Sequence, residues 1–180
     1  MLISDLQIPG TYLISNDVHT DNRGSFENIF KETDFKDLGV EFSIKQVNLS
    51  RNTHKGTLRG LHFQKHPSME SKIVNCMAGK IFDVMVDLRP DSHFFGFWQS
   101  VILEPAQNAV VIPRGVAHGF QTLEENCLVQ YLHSGDYAAD LNSGLKFDDP
   151  SVNVCWPEDI SEISDRDKGL PTLGELRKQL

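Results

Sequence analysis

Leu58-Arg59-Gly60-Leu61-His62-Phe63-Gln64 places a guanidinium and an imidazole inside a run that otherwise reads as a buried β-strand. Polar groups buried without partners cost roughly 1–3 kcal/mol each, so a strand that carries both ordinarily has something for them to bind. The alternation is awkward. Arg59 and His62 have opposite parity, and a regular strand aims them at opposite faces. Gly60 between them is where a bulge can re-aim one side chain. Regular pairing through Gly60, with Arg59 in solvent, is the outcome that contradicts this expectation. Alone, the stretch fits equally an edge strand whose His62 is hydrogen-bonded in the core.

Outward from this stretch, short β-like runs alternate with clusters of Gly, Pro, Asn and Asp, at 11–18, 40–50, 58–64, 72–77, 81–88, 99–103, 109–112 and 127–133. Helical signal is sparse. One or two turns are expected over 33–38, capped by Thr33 and stopped by Gly39. The capping box Thr172-Leu173-Gly174-Glu175 predicts a C-terminal helix running to Leu180. Many short strands with a few terminal helices imply an all-β fold, an antiparallel sandwich or barrel of jelly-roll type with short flanking helices.

Length and composition agree. The chain has 180 residues, 39% hydrophobic and 23% charged, which suits one domain over 1–180. A net charge of −8 argues against nucleic-acid binding and against polybasic membrane binding. It leaves room for a small anionic ligand held by local cations. No stretch has the length and apolarity of a membrane span, and the first residues have neither a basic region nor an apolar signal core. Cys76, Cys127 and Cys155 are widely spaced and form no CxxC, so neither a disulfide framework nor a zinc knuckle is indicated. A cytoplasmic location is the expectation.

Strand parity sorts candidate pocket residues. Gln46, Asn48 and Ser50 share a face of 40–50, and Val129, Tyr131 and His133 share one of 127–133. In 81–88, Phe82, Val84, Val86 and Leu88 form a clean apolar face, and Asp83 and Asp87 share the other with Ile81 and Met85. Pro113-Arg114-Gly115-Val116-Ala117-His118 resembles the P-x-G-x-x-H motif of cupins, whose turn presents a histidine into the barrel. The cupin metal site pairs this histidine with an H-x-H; here His62-Phe63-Gln64 lacks one imidazole. A facial triad of His62, His118 and Glu70 remains an alternative, which would make the protein a metal-dependent oxygenase.

Three blocks give a specific resemblance: 58–64, Gly79-Lys80-Ile81-Phe82-Asp83-Val84-Met85-Val86-Asp87-Leu88-Arg89, and 112–120. Together with Asp21-Asn22-Arg23-Gly24-Ser25-Phe26, Lys146-Phe147-Asp148-Asp149-Pro150, Cys155-Trp156-Pro157 and Ile163-Ser164-Asp165-Arg166-Asp167, they resemble, in order, the dTDP-4-dehydrorhamnose 3,5-epimerase family. The resemblance implies a cupin-type jelly-roll barrel without metal or other cofactor, a homodimer, and epimerisation of a nucleotide-linked 4-keto-6-deoxyhexose. By the same resemblance His62 is the general base, Asp167 orients it, Tyr131 is the acid on the opposite face of the sugar, and Lys72 lies near the keto oxygen. Arg23, Phe26, Gln46, Asn48, Arg59, His118 and Tyr137 are implied as substrate contacts.

The chemistry explains these residue types. A 4-keto group acidifies C3–H and C5–H because the carbanion is an enolate. Histidine, with a reference pKa of about 6.5, suits proton abstraction near neutral pH. An aspartate on its far nitrogen fixes the tautomer. The enolate oxygen needs a preorganised cation, inversion needs a proton from the other face, and a diphosphate suits arginine's planar fork. Several positions depart from the family's pattern. Asn28 stands where a glutamate is usual, the residues flanking Tyr131 are less basic and aromatic, and Asp136 replaces an aromatic. These departures leave open a single-centre epimerase or another nucleotide keto-sugar. A non-catalytic sugar-nucleotide-binding cupin is the alternative from outside enzymology.

Overall fold

The computed structural model describes residues 2–37 and 42–180. In chain order its strands are β1 (Leu2–Asp5), β2 (Tyr12–Ser15), β3 (Val18–Asp21), β4 (Gly24–Glu27), β5 (Gln46–Asn52), β6 (Leu58–Gln64) and β7 (Lys72–Ala78). They continue with β8 (Ile81–Asp87), β9 (Trp98–Leu103), β10 (Asn108–Ile112), β11 (Val116–Thr122), β12 (Cys127–His133) and β13 (Asn142–Gly144). Short helices α1 (Glu32–Asp37), α2 (Asp165–Lys168) and α3 (Leu173–Leu176) flank them. A six-stranded sheet in the order β1-β2-β10-β7-β12-β5 faces a five-stranded sheet in the order β13-β6-β11-β8-β9, and β3 and β4 form a separate hairpin. Pairing between these strands is antiparallel throughout. The fold is the expected all-β jelly roll. Among the described residues, no helix is long and apolar enough to cross a membrane.

Strand alternation builds three apolar layers. Between the sheets lie Val74, Val110, Ile112 and Val129 from one sheet and Ile81, Met85, Val116 and Phe120 from the other. The outer face of the five-stranded sheet, with Leu61, Phe63, Val84 and Val86, is covered by Leu145, Val152, Leu173 and Leu176 of the C-terminal segment. The outer face of the six-stranded sheet, with Ile14, Ile73, Val111 and Leu132, is covered by Phe35 and Phe42. Truncating one such buried leucine or isoleucine to alanine costs about 2–5 kcal/mol.

Several expected elements are corrected. The 11–18 run breaks at Asn16, whose backbone N–H donates to Gln107 O at 3.1 Å and whose amide donates to Glu27 Oε2 at 2.8 Å. The 40–50 run becomes strand at Gln46, because Phe42 is drawn into the aromatic cluster with Phe30 and Phe35 instead of the ladder. Thr33 does not cap α1; the helix begins at Glu32. The expected stop at Gly39, with residues 38–41, lies outside the described residues. Thr172 and Glu175 do form the capping box, but α3 ends at Leu176, the last side chain there that reaches the core.

The bulge expected at Gly60 is present. His62 pairs with His118 and Arg59 with Phe120, so the ladder has one more residue on β6 than on β11 between these pairs. Gly60 has φ +127°, and a Cβ there would stand 2.5 Å from Gly119 Cα. Glycine at both positions lets the two backbones touch. The bulge brings Arg59 and His62 to one side, opposite interior-facing residues of β11.

Candidate active site

A cavity of about 360 Å³ opens between the two sheets, lined by Arg59, His62, Lys72, His118, Tyr131, His133, Tyr137 and Asp167 among others. Each sheet contributes one wall. β6 and β11 of the five-stranded sheet carry Arg59, His62 and His118. β7 and β12 of the six-stranded sheet carry Lys72, Tyr131 and His133.

His62 Nε2 donates to Asp167 Oδ1 at 2.7 Å. Asp167 Oδ2 accepts from the Gly60 backbone at 3.1 Å, so the bulge that aims His62 also holds its partner. Asp167 comes from α2, whose N-cap Ser164 accepts from the Asp167 backbone N–H at 3.1 Å. Burial opposes charge on Asp167, but the bonds from His62, Gly60 and Ser164 outweigh it and hold the carboxyl below its ordinary range. The aspartate therefore stays ionised. With Nε2 committed, Nδ1 is the nitrogen of His62 left for chemistry.

Across the cavity, Lys72 is 6% exposed. Burial pushes its ammonium down, while the charges of Glu70 and Asp83 pull it back up. Tyr131 is pushed well above the ordinary phenol range by burial and by the charge of Asp83, so its proton is firmly held. His118 Nε2 donates to Asp83 Oδ2 at 2.7 Å, and burial lowers the imidazole and raises the carboxyl. The Tyr131 ring meets His118 at 5.9 Å and 75°.

Gln46 and Asn48 share a face as expected, with Gln46 Nε2 donating to Asn48 Oδ1 at 2.9 Å. Asn48 lines the cavity; Gln46 stands behind it and accepts from the Tyr137 backbone at 3.3 Å. Gln64 steadies the segment carrying Tyr137, donating to Asp136 O at 3.1 Å and accepting from Ala138 N at 2.7 Å. Arg59 Nε donates to Asn52 Oδ1 at 2.7 Å, which aims the guanidinium at the cavity rim.

Arg23 and Phe26 are not brought to this cavity. They sit on the β3–β4 hairpin and line a different depression, with Phe26 75% exposed. Sequence reasoning passed over Arg166, whose guanidinium donates to Asn142 at the cavity wall. It also passed over Ser164 and Asn142, and it gave Glu70 a part only in a metal triad. A recognisable signal existed for Ser164, as the cap three residues before Asp167. Among the described residues, no group of three or more His, Cys, Asp or Glu is arranged to hold a metal ion, so His62, His118 and Glu70 do not form a triad.

Known proteins give a consistent picture. The model of the family described as dTDP-4-dehydrorhamnose 3,5-epimerase matches residues 5–175. A dTDP-4-dehydrorhamnose 3,5-epimerase from Sinorhizobium fredii is 36% identical over 98% of this chain and 91% of its own length. An epimerase structure from Mycobacterium tuberculosis superposes with a TM-score of 0.95 at 35% identity, covering 99% of this chain and 92% of that one. A 3′-monoepimerase from Streptomyces bikiniensis, solved with dTDP-quinovose, superposes with a TM-score of 0.90 at 32% identity, covering 97% of this chain and 89% of that one.

Proposed function

Because the chain belongs to the dTDP-4-dehydrorhamnose 3,5-epimerase family and is an isomerase, we propose that it inverts C3, C5 or both of a nucleotide-linked 4-keto-6-deoxyhexose by cofactor-independent proton transfer. The observation that carries this reading is the placement of base and acid on opposite walls, His62 on β6 and Tyr131 on β12. A sugar ring between the sheets then loses a proton on one face and gains one on the other.

In this reading Nδ1 of His62 takes the proton at C3 or C5. The C–H electron pair moves into the ring as the C4 carbonyl becomes an enolate, and Asp167 stabilises the imidazolium. Lys72 donates to the enolate oxygen. Tyr131 gives its proton to the carbon from the other side, the ketone re-forms, and solvent returns a proton to the phenolate and removes one from His62. A phenol held protonated by burial suits the acid's part. Arg59 and Arg166 at the rim suit the diphosphate.

The number of inverted centres is a separate question. A 3′-monoepimerase and a 3,5-epimerase share this backbone nearly equally well, with TM-scores of 0.90 and 0.91, so the fold does not separate them. The deciding experiment is proton NMR of dTDP-4-keto-6-deoxyglucose with metal-stripped enzyme in deuterated water. The expected result is loss of signal at C3, C5 or both with no metal added. Loss at one carbon alone identifies a single-centre enzyme. Silence at both carbons, with the nucleotide still bound by folded protein, overturns the reading.

We also propose a homodimer. Phe26, and Val47 and Leu49 on the edge strand β5, expose apolar surface at 75%, 53% and 54%. Arg23 and Phe26 could reach a nucleotide in the cavity if a second copy donated the hairpin. Sedimentation is expected to give twice the 20.3 kDa chain mass; a monomer at micromolar concentration removes this part of the proposal.

A further inference from the structure

The proposed proton transfer uses His62 and Tyr131, and His118 is committed to Asp83, but no task falls to His133. This residue follows Tyr131 by two positions on β12, so both side chains face the cavity. Their rings stack with centroids 5.8 Å apart and planes 18° from parallel. The phenol ring is thus flanked by His133 from its own strand and by His118 from the facing sheet.

Glu70 stands beside His133, with Oε2 3.1 Å from Nδ1. That nitrogen is buried yet has no aligned hydrogen bond. The carboxylate neighbours the ring at ion-pair distance, and the ring's other nitrogen, Nε2, lies 3.5 Å from Asn48 Nδ2 on the adjacent strand. The neighbouring Ser71 is tied to Ser134 across the strands. Ser71 N donates to Ser134 Oγ at 2.8 Å, and Ser134 N donates to Ser71 O at 2.9 Å. Gly135 leaves room, since a Cβ there would come 3.1 Å from Glu70 Cβ. The other carboxylate oxygen of Glu70 lies 4.0 Å from Lys72 Nζ. A buried imidazole and carboxylate contribute little stability compared with apolar residues of the same volume, so packing alone is a weak reason for this pair.

We infer that His133, with Glu70 beside it, is a positioning residue for Tyr131: the stacked imidazole holds the phenol at the angle from which its proton reaches the enolate carbon. Glu70 lies between His133 and Lys72, 3.1 Å from the one and 4.0 Å from the other. The inference rests on the reading of Tyr131 as the acid and adds the residue that aims it.

The test follows two rates on dTDP-4-keto-6-deoxyglucose in deuterated water, wash-in of solvent deuterium and formation of inverted product. His133→Ala is expected to keep wash-in, which His62 drives, and to slow product formation about 10- to 100-fold. His133→Phe keeps a stacking face and is expected to recover most of that loss. Unchanged dTDP affinity shows that each variant is folded. Loss of both rates together, loss of neither, or a phenylalanine variant as slow as the alanine one overturns the inference. Tyr131→Phe run alongside separates the two readings. If it slows product selectively while His133→Ala does not, this inference alone fails. If Tyr131→Phe slows nothing, the acid reading fails and takes this inference with it.

Discussion

His62→Ala is expected to lower turnover about 10²- to 10⁴-fold, the range over which a positioned general base acts, and to leave dTDP affinity largely intact. The nucleotide contacts proposed at the rim, Arg59 and Arg166, are separate side chains that the substitution leaves in place. No neighbouring imidazole is placed to stand in. His118 has Nε2 committed to Asp83 at 2.7 Å and is 4% exposed. His133 lies on the Tyr131 wall, on the wrong side of the sugar for the same proton. Removing the imidazole also leaves Asp167 buried, with Gly60 N and Ser164 as its remaining partners. A stability loss of about 1–3 kcal/mol is expected with the activity loss. The two are separated by assaying at a temperature where the variant is folded. Deuterium wash-in that stays within a few-fold of the wild type would remove His62 from the mechanism.

Much of this site was legible because it depends on local geometry. The opposite parity of Arg59 and His62 demanded an irregularity, Gly60 offered one, and the extra residue on β6 is found there. The shared face of Gln46 and Asn48 was readable from alternation and appears as a side-chain hydrogen bond. Alternation was less informative in β8. Its clean apolar face, Phe82, Val84 and Val86, packs outward under the C-terminal segment, and the mixed face with Asp83 and Met85 lines the barrel. Both faces of such a strand are buried, so polarity does not say which is inside. β11 was missed because His118-Gly119 reads as part of a turn. Its glycine is explained by the Arg59–Gly60 backbone pressed against it, a contact made across more than fifty residues of chain. Arg166 was overlooked, and Glu70 read only as a metal ligand, for a similar reason. Both lie in polar runs where nothing local distinguishes a cavity-lining charge from a solvated one, and tertiary packing of α2 and of segment 70–71 makes the difference. The separation of Arg23 and Phe26 from the cavity depends on where the β3–β4 hairpin projects, which no periodicity encodes.

Lys72→Met is the complementary experiment, because it acts at the enolate and not at the incoming proton. Methionine keeps most of the length and volume of lysine but brings no charge and no donor. Lys72 is 6% exposed and its ammonium feels Glu70 and Asp83, so its charge acts in a medium where little water screens it. Loss of one preorganised donor to a developing oxyanion typically costs about 10²–10³ in rate. The same loss is expected here in both deuterium wash-in and product formation, since both pass through the enolate. This pattern differs from that expected of Tyr131→Phe, where wash-in outlasts product formation. Lys72→Arg is not expected to rescue, because the wider guanidinium must fit a site shaped for a compact ammonium between two carboxylates. A fall in product with wash-in preserved would place Lys72 on the reprotonation side of the reaction. Full activity in the methionine variant would leave the enolate to be stabilised by some other donor in the cavity.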